Sequence, residues 1–266
     1  GIPTLNNFFD YSVIETIEKK FGINKAQLII HNHALSNIHD LNRVSTSVKK
    51  ILSSEGVYCL QTFYMYDVLD KYLIENFNHE HLSYFSVKTI SNYLEFHGLK
   101  VFDAIRVDAK GGSIRVFAKH FSKNLKTTKR LENIIAAENK KNDTKLFNNL
   151  NKKIISYSKN IIKIIKKNKY KNIVGYGTSI GATTFIYQYG IANKISFFVD
   201  DDTFRQNRFS PGSNIPVKPS KEIRSSNIDL IIIFAPLYYI KIIENIKKIK
   251  NKSIDVLLIW PKVKLI

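Results

Sequence analysis

The stretch that decides the fold is Asn172-Ile173-Val174-Gly175-Tyr176-Gly177-Thr178-Ser179-Ile180-Gly181. Its apolar start predicts a short buried strand, and a helical pattern follows the glycines over residues 180–189. A glycine-rich turn between a strand and a helix either packs the two elements closely or receives a ligand at the helix N-terminus. We expect an α/β unit in which Gly177 and Ser179 contact the ligand.

Acidic residues follow this turn at the distance that nicotinamide-binding Rossmann units use. The spacing G-x-G-x-x-x-G is one residue longer than the dinucleotide fingerprint. Asp200-Asp201-Asp202 lies about twenty residues further on, at the end of a predicted strand, where an acidic side chain can bind a ribose hydroxyl. An NAD-dependent oxidoreductase is therefore the alternative function, and a turn that only packs helix on strand remains open.

Outward from this stretch, strands and helices alternate along most of the chain. This alternation predicts an α/β fold with two Rossmann-like units joined by a Lys-rich helical connector. The predicted domains are residues 1–120, 121–168 and 169–266. In the first domain the predicted helices are 11–21, 41–52 and 87–97, and the predicted strands are 26–30, 57–63, 100–107 and 113–118. The last two strands suggest an antiparallel hairpin at the sheet edge. In the second, the predicted strands are 172–175, 195–200, 228–235 and 256–260, and the predicted helices are 180–189 and 239–249.

Composition narrows the class of protein. The 266 residues are 44% hydrophobic, which is enough for buried cores, and the single cysteine, Cys59, excludes a disulfide framework and fits a reducing cytoplasm. The net charge is +19, and Ile and Asn are also abundant. The basic stretch has few aromatic residues that could stack on bases, so we expect no nucleic-acid partner.

No apolar run reaches the roughly 18 residues of a membrane helix. The first residue is Gly1, not Met, so we expect a fragment of a longer protein.

The segment Asn78-His79-Glu80-His81 carries the groups best suited to proton transfer. Histidine beside a carboxylate is typical of general base chemistry near neutral pH. The alternative is a polar loop with surface histidines. His79 and His81 could also imitate a metal pair, but zinc normally needs a third ligand at a distinctive spacing, so we expect no metal site in this chain.

Two further segments lie where a ligand could bind. His31-Asn32-His33 follows an apolar strand, and ligands of open sheets lie beyond the carboxyl ends of strands. Gly111-Gly112 permits a tight turn or a close approach of the backbone to a substrate.

Taken in order, these segments resemble those of the S-adenosylmethionine-dependent C-methyltransferases that act on nucleotide-linked deoxysugars. The matching stretches cover nearly the whole chain except the Lys-rich connector. They are Gly1-Ile2-Pro3-Thr4 with Phe8-Phe9, residues 28–33 through 40–42, Glu80-His81-Leu82-Ser83-Tyr84-Phe85-Ser86, Gly111-Gly112-Ser113-Ile114-Arg115, Gly175-Tyr176-Gly177 with Gly181, Val199-Asp200, and Ser210-Pro211-Gly212 with Ile215-Pro216.

The resemblance implies an enzyme of three domains, of which this chain would be the later two-thirds. A zinc-binding domain and the glycine loop that holds the methionine part of S-adenosylmethionine would precede Gly1, so this chain alone would be inactive. His81 would remove a proton next to a ketone, with Glu80 orienting it. The family's Tyr and His fall here on Asn78 and Asn37, which cannot transfer protons at neutral pH but can still donate a hydrogen bond to an enolate oxygen, so both are predicted catalytic residues beside His81 and Glu80.

The resemblance also implies the partners and the binding residues. A nucleotide-linked keto-deoxysugar would be the substrate of a cytoplasmic enzyme, with no nucleic acid and no membrane involved, and no prediction of the oligomeric state follows. The predicted cofactor-binding residues are Phe8, His31 and Asn32. The predicted substrate-binding residues are Gly111, Gly112, Ser113, Gly177 and Ser179.

Overall fold

The chain forms two compact units, as seen in a computed structural model that describes residues 1–249 and 254–266. The first unit comprises residues 1–68 and 79–142, and the second comprises 69–78 and 143–266. The predicted α/β class is confirmed, because helices alternate with strands in both units. Within the described ranges, every helix is too short or too polar to span a lipid bilayer.

The helices of the first unit begin and end at residues that satisfy their free backbone groups. Asp10 accepts a hydrogen bond from the Ser12 amide at the start of α1, and Gly22 adopts the left-handed conformation (φ 66°) at its end. Ser86 and Thr89 form a reciprocal capping box at the start of α4. The elements are α1 (Tyr11–Phe21), β1 (Ala26–Asn32), α2 (Leu41–Ile51), β2 (Leu52–Phe63), α3 (Met65–Asp70), α4 (Val87–Phe96), β3 (Leu99–Val107), β4 (Ser113–His120) and α5 (Lys129–Asn139).

The sheet of the first unit has four strands in the order β1-β2-β4-β3. β1 runs parallel to β2, and β4 runs antiparallel to both β2 and β3. The predicted antiparallel hairpin is present, but only β3 lies at the edge, because β4 is inserted between β3 and β2. Phe63, the last residue of β2, therefore pairs with Ser113 at the hairpin turn. This topology places the carboxyl ends of β1 and β2 beside that turn.

A buried carboxylate ties α5 to α4. Glu138 accepts hydrogen bonds from the backbone amides of Val87 (2.7 Å) and Lys88 (2.9 Å) and from the hydroxyl of Tyr64 (3.0 Å). The two amides belong to the first turn of α4, whose N–H groups have no partner within the helix. Glu138 thus fixes the helix that follows the predicted catalytic segment.

The second unit is built on a seven-stranded sheet in the order β11-β10-β9-β5-β6-β8-β7. The five inner strands, β10, β9, β5, β6 and β8, run parallel to one another. The edge strands β11 and β7 pair antiparallel with β10 and β8. The predicted connector is divided between the units, since α5 belongs to the first and the long α6 to the second. The elements are α6 (Asp143–Lys167), β5 (Ile173–Tyr176), α7 (Ile180–Tyr189), β6 (Ile195–Asp200), β7 (Arg208–Phe209), β8 (Pro216–Pro219), α8 (Glu222–Ser225), β9 (Leu230–Ile233), α9 (Tyr239–Ile249), β10 (Asp255–Leu258) and β11 (Lys264–Leu265).

The stretch quoted first lies at the centre of this sheet. β5 is buried along its whole length between β6 and β9. A Cβ on Gly175 would lie 2.2 Å from Cε1 of Phe198, a ring buried on the neighbouring strand. Gly175 is therefore needed for packing, and the turn at Gly177 begins where the sheet ends.

Candidate functional site

In the first unit, the predicted base His81 lies against Phe63 at the carboxyl end of β2. The ring centroids of His81 and Phe63 are 4.8 Å apart. His33 meets the same phenyl ring edge-on at 5.2 Å, and the Lys110 ammonium lies 5.5 Å from its centroid. Three basic side chains from separate segments thus surround one aromatic ring. We call this group the Phe63 cluster.

Backbone hydrogen bonds hold the His81 segment against the loop that follows β1. The amides of Leu82 and Ser83 both donate to the carbonyl of Ser36, at 2.7 Å and 3.3 Å. Ser36 is buried, so the contact is shielded from water. The position of His81 is therefore set by backbone contacts of the next two residues to the loop after β1.

His33 is held by a chain of hydrogen bonds that runs across the sheet. Nε of Arg115 donates to Oε1 of Gln61 at 2.9 Å, and Nε2 of Gln61 lies 2.9 Å from Nε2 of His33. Nδ1 of His33 is buried and has no hydrogen-bond partner among the described residues. Burial lowers the pKa of His33, and the charges of Lys110 and His81 lower it further.

The predicted cofactor residues differ in exposure. Nδ1 of His31 lies 2.8 Å from the hydroxyl of Tyr58, and burial lowers the pKa of His31. Asn32, the last residue of β1, is exposed. Phe8 is 95% exposed, so its ring offers an open aromatic face. These positions suit a ligand but stay predictions.

The other predicted catalytic residues are Asn37, Asn78 and Glu80. Asn37 is exposed and accepts only a long hydrogen bond, 3.4 Å, from Ser36. Asn78 belongs to the second unit, where its amide donates to the carbonyl of Glu75 at 3.2 Å. Glu80 is exposed. The roles assigned to these three residues stay predictions.

The predicted substrate residues Gly111, Gly112 and Ser113 form the hairpin turn beside Phe63. A Cβ on Gly112 would lie 2.6 Å from Cβ and Oδ2 of Asp67, so a larger residue does not fit there. Ser113 is buried, and its hydroxyl donates to the carbonyl of Ala109 at 2.8 Å. The structure thus gives these residues a packing role, and their contact with a substrate stays a prediction.

The second unit contains a cavity of about 520 Å³ at the glycine turn. Both predicted residues, Gly177 and Ser179, line it. Ser179 precedes α7, and its side chain makes no capping hydrogen bond. The other lining residues are Glu75, Tyr176, Gly181, Asp200, Asp201, Arg205, Phe234, Ala235, Pro236, Leu237, Tyr238, Lys241, Ile242 and Asn245. The lining includes the cations of Arg205 and Lys241 and the carboxylates of Asp200 and Asp201, so the backbone amides at the start of α7 are the groups that favour an anion.

Glu75 is an unusual acid in the lining of this cavity. Its Oε2 is buried and has no hydrogen-bond partner among the described residues. Burial raises the pKa of Glu75 to about 7. The residue packs against the start of α7, where a Cβ on Gly181 would lie 2.7 Å from the Cβ of Glu75.

Asp200, the residue on which the oxidoreductase alternative depends, has its oxygens occupied. Oδ2 accepts from the Thr178 amide (2.7 Å), the Thr178 hydroxyl (2.6 Å) and Arg205 (3.4 Å), while Oδ1 accepts from the Asp202 amide (2.9 Å). Burial would raise the pKa of Asp200, but these hydrogen bonds and the charge of Arg205 hold it below the usual range. A carboxylate has about four acceptor positions, two on each oxygen, so the hydrogen bonds among the described residues fill Oδ2 and leave one position, on Oδ1, for a ribose.

Sequence reasoning missed Gln61, Arg115 and Glu75 and gave His33 no role of its own. Only the triplet His31-Asn32-His33 pointed to that part of the site. The residues described, 1–249 and 254–266, contain no group of three or more His, Cys, Asp or Glu side chains that could hold a metal ion.

Several solved structures align with this chain at low similarity. Solved structures that align include an S-adenosylmethionine-dependent methyltransferase from Clostridium acetobutylicum, with 17% identity and a TM-score of 0.30 over 37% of this chain and 60% of that one. M1.HpyAVI aligns with 13% identity and a TM-score of 0.27 over 80% of this chain and 89% of that one. Scores this low carry no argument about the site.

A sequence relative covers most of the chain. C-methyltransferase NovU from Streptomyces niveus is 24% identical over 254 residues, which are 93% of this chain and 60% of that protein. Residues 108–261 match the family model described as the C-methyltransferase C-terminal domain. Since this match spans more than half of the 266 residues, the chain belongs to the C-methyltransferase family.

Proposed function

We propose that the protein to which this chain belongs is an S-adenosylmethionine-dependent C-methyltransferase that acts on a nucleotide-linked keto-deoxysugar. The family match and the similarity to C-methyltransferase NovU support the reaction class. The observation that carries the proposal is the attachment of the His81 segment to the loop after β1 through the Leu82 amide and the Ser36 carbonyl. This attachment holds an imidazole at the carboxyl ends of β1 and β2, where ligands of α/β sheets bind.

In this mechanism His81 is the general base. It takes the proton from the carbon next to the ketone, and the C–H electron pair forms the double bond of an enolate. Glu80, its sequence neighbour, would orient the imidazole. The positive Lys110 near the Phe63 ring favours the negative charge that develops on the substrate. S-adenosylmethionine, when bound, supplies an electrophilic methyl group to the deprotonated carbon and leaves as its demethylated thioether.

The residues predicted to hold the cofactor fit the adenosine part of S-adenosylmethionine. The ring of Phe8 is open for stacking, since it is 95% exposed. Exposed Asn32 ends β1 and can donate or accept hydrogen bonds. The imidazole of His31 is already fixed by the Tyr58 hydroxyl, which makes it a rigid wall of this site.

The cavity of the second unit would hold the nucleotide end of the substrate. A diphosphate is an anion, and the uncapped start of α7 and Lys241 offer donors and positive charge, while Arg205 is paired with Asp200. Gly177, the residue after β5, has φ 93° and lines the cavity, where an added Cβ would lie 2.9 Å from the Cβ of Ala235. The single acceptor position that remains on Asp200 argues against NAD in the same place, since a ribose presents two hydroxyls.

The test is methyl transfer by the full-length protein with a nucleoside-diphosphate 4-keto-6-deoxyhexose and S-adenosylmethionine, followed by mass spectrometry of the sugar product. His81→Ala should lower turnover by about 10²- to 10⁴-fold, the usual effect of removing a general base. His79→Ala is the matched control, because His79 is an exposed histidine two positions away in the same segment. Equal turnover in both variants would remove His81 from the mechanism.

The remaining expectations stay proposals. The single cysteine favours a cytoplasmic location. The domain limits proposed from the sequence, 1–120, 121–168 and 169–266, differ from the two compact units.

A further inference from the structure

His33 carries a hydrogen-bond donor that no described residue accepts. Nε of Arg115 can only donate, so the oxygen of the Gln61 amide must face it, at 2.9 Å. The amide nitrogen of Gln61 then faces Nε2 of His33, also at 2.9 Å. Since this nitrogen donates, Nε2 accepts, and the proton of the neutral imidazole lies on Nδ1. Nδ1 is the buried atom without a partner.

His33 is also strained in its backbone. Its φ of 51° lies in the left-handed region, which a residue with a side chain rarely adopts. A buried donor without an acceptor costs stability as well. Two unfavourable features at one residue are typical of functional sites, where a bound molecule supplies what the fold leaves out.

The surroundings of His33 define what the missing partner must be. His33 and His81 both contact the ring of Phe63, at 5.2 Å and 4.8 Å between centroids. Burial, Lys110 and His81 lower the pKa of His33, so its imidazole stays neutral at physiological pH. A neutral N–H beside a base can stabilise a developing oxyanion without giving up its proton.

We propose that His33 is a second catalytic residue, whose Nδ1–H donates a hydrogen bond to the ketone oxygen of the substrate as the enolate forms. This inference rests on the proposed function. His81 takes the proton from the adjacent carbon, the C–H electron pair forms the carbon–carbon double bond, and the carbonyl π pair moves to the oxygen. His33 keeps its proton throughout and stabilises the new negative charge.

The first test needs no substrate and uses the chain itself. With ¹⁵N-labelled histidine, the NMR shifts of His33, identified by their loss in His33→Asn, should show a protonated Nδ1 and an unprotonated Nε2. In Gln61→Glu at about pH 8, where imidazole is neutral, the carboxylate can only accept, so the proton should move to Nε2. A protonated Nε2 in the wild-type chain would overturn the proposal.

The second test isolates proton removal from methyl transfer. The full-length protein is incubated in D₂O with a nucleoside-diphosphate 4-keto-6-deoxyhexose and no methyl donor, and deuterium uptake next to the ketone is followed. His33→Phe should slow the maximal exchange rate by about 10²- to 10³-fold, the effect of removing one oxyanion donor, with little change in KM. His33→Gln, which restores a side-chain N–H, should recover part of the loss. His39→Phe, at an exposed histidine of the same loop, is the control.

The outcomes separate the two proposals. If His81→Ala abolishes exchange and His33→Phe does not, His33 has no catalytic role and the proposed function stands. If neither variant affects exchange, the proposed function is wrong, and the role of His33 that rests on it is wrong as well. Should His33→Phe not fold, Gln61→Glu serves in its place, because it keeps the imidazole and removes the proton from Nδ1. Exchange at the wild-type rate in Gln61→Glu at about pH 8 would then overturn the proposal.

Discussion

Glu75→Gln should stabilise the second unit at alkaline pH and leave its stability nearly unchanged in acid. Burial raises the pKa of this carboxyl from 4.5 to about 7. The native unit therefore holds a proton that the unfolded chain loses more readily, so stability is lost as pH rises from 4.5 through the native pKa of about 7. The pKa values of the native and the unfolded carboxyl differ by about 2.5 units. At about 1.4 kcal/mol per unit, the free energy of unfolding above pH 7 is lower by about 3 kcal/mol than in acid. Gln is neutral and of the same shape, so it should recover most of that free energy.

The assay is urea unfolding followed by tryptophan fluorescence. Trp260 is the only tryptophan of the chain and belongs to the second unit, where its Nε1 donates to the carbonyl of Lys71 at 2.9 Å. At about pH 8 the midpoint of Glu75→Gln should exceed that of the wild type by about 1 M urea, and near pH 4.5 the two should nearly coincide. Glu244→Gln, at an exposed position of α9, is the matched control and should show no such pH dependence.

Equal stabilisation of Glu75→Gln at both pH values would refute the reasoning, because the gain would then come from packing and not from the charge. A destabilised variant at about pH 8 would refute it more directly, since it would show that the ionised carboxylate has a partner in the native unit.

Three further predictions follow from single contacts. Gly175→Ala should lower the free energy of unfolding by about 1 to 3 kcal/mol, because its Cβ would lie 2.2 Å from the buried ring of Phe198; an unchanged midpoint in the tryptophan assay would contradict this packing. Glu138→Ala should cost the first unit about 1 to 3 kcal/mol by leaving two helix-start amides and a tyrosine hydroxyl unsatisfied, which circular dichroism during urea unfolding can measure. NADH should show no saturable binding in a fluorescence titration, because hydrogen bonds within the chain leave Asp200 one acceptor position for the two hydroxyls of a ribose; saturable binding that Gly177→Val abolishes would favour the oxidoreductase.

Helix limits could be predicted wherever local chemistry marks them. The pattern predicted helices over 11–21 and 180–189, and the structure has α1 and α7 at these positions, with glycine in the left-handed conformation after each. The start of β2 was predicted five residues too late, at Val57 rather than Leu52, because Gly56 resembles a turn residue. In the structure Gly56 lies within the strand, where a Cβ would meet the carbonyl of Ala26 at 2.8 Å. That requirement comes from a neighbouring strand and is invisible in local sequence.

The residues of the candidate site also divide into those that local sequence predicts and those that it does not. His81 could be predicted from residue type and from the stretch that follows it. The unpaired Nδ1 of His33 could not be predicted, because its cause is distant along the chain. Gln61 lies 28 residues from His33, and Arg115 lies 54 residues beyond Gln61. Likewise Glu75 looks like an ordinary surface acid until its Oε2 is found buried beside α7.

The edge position of β1 has a consequence for the behaviour of the chain at high concentration. Among the residues that the structure describes, β1 pairs with β2 alone, and its Leu28 and Ile30 are 55% and 61% exposed. An apolar strand with one unpaired side is a template on which a second molecule can add its own strand. The net charge of +19 opposes such contacts by repulsion, and salt screens repulsion over about 10 Å at 0.1 M. Solubility should therefore fall as salt is added, the reverse of what is expected for a chain that aggregates through opposite charges.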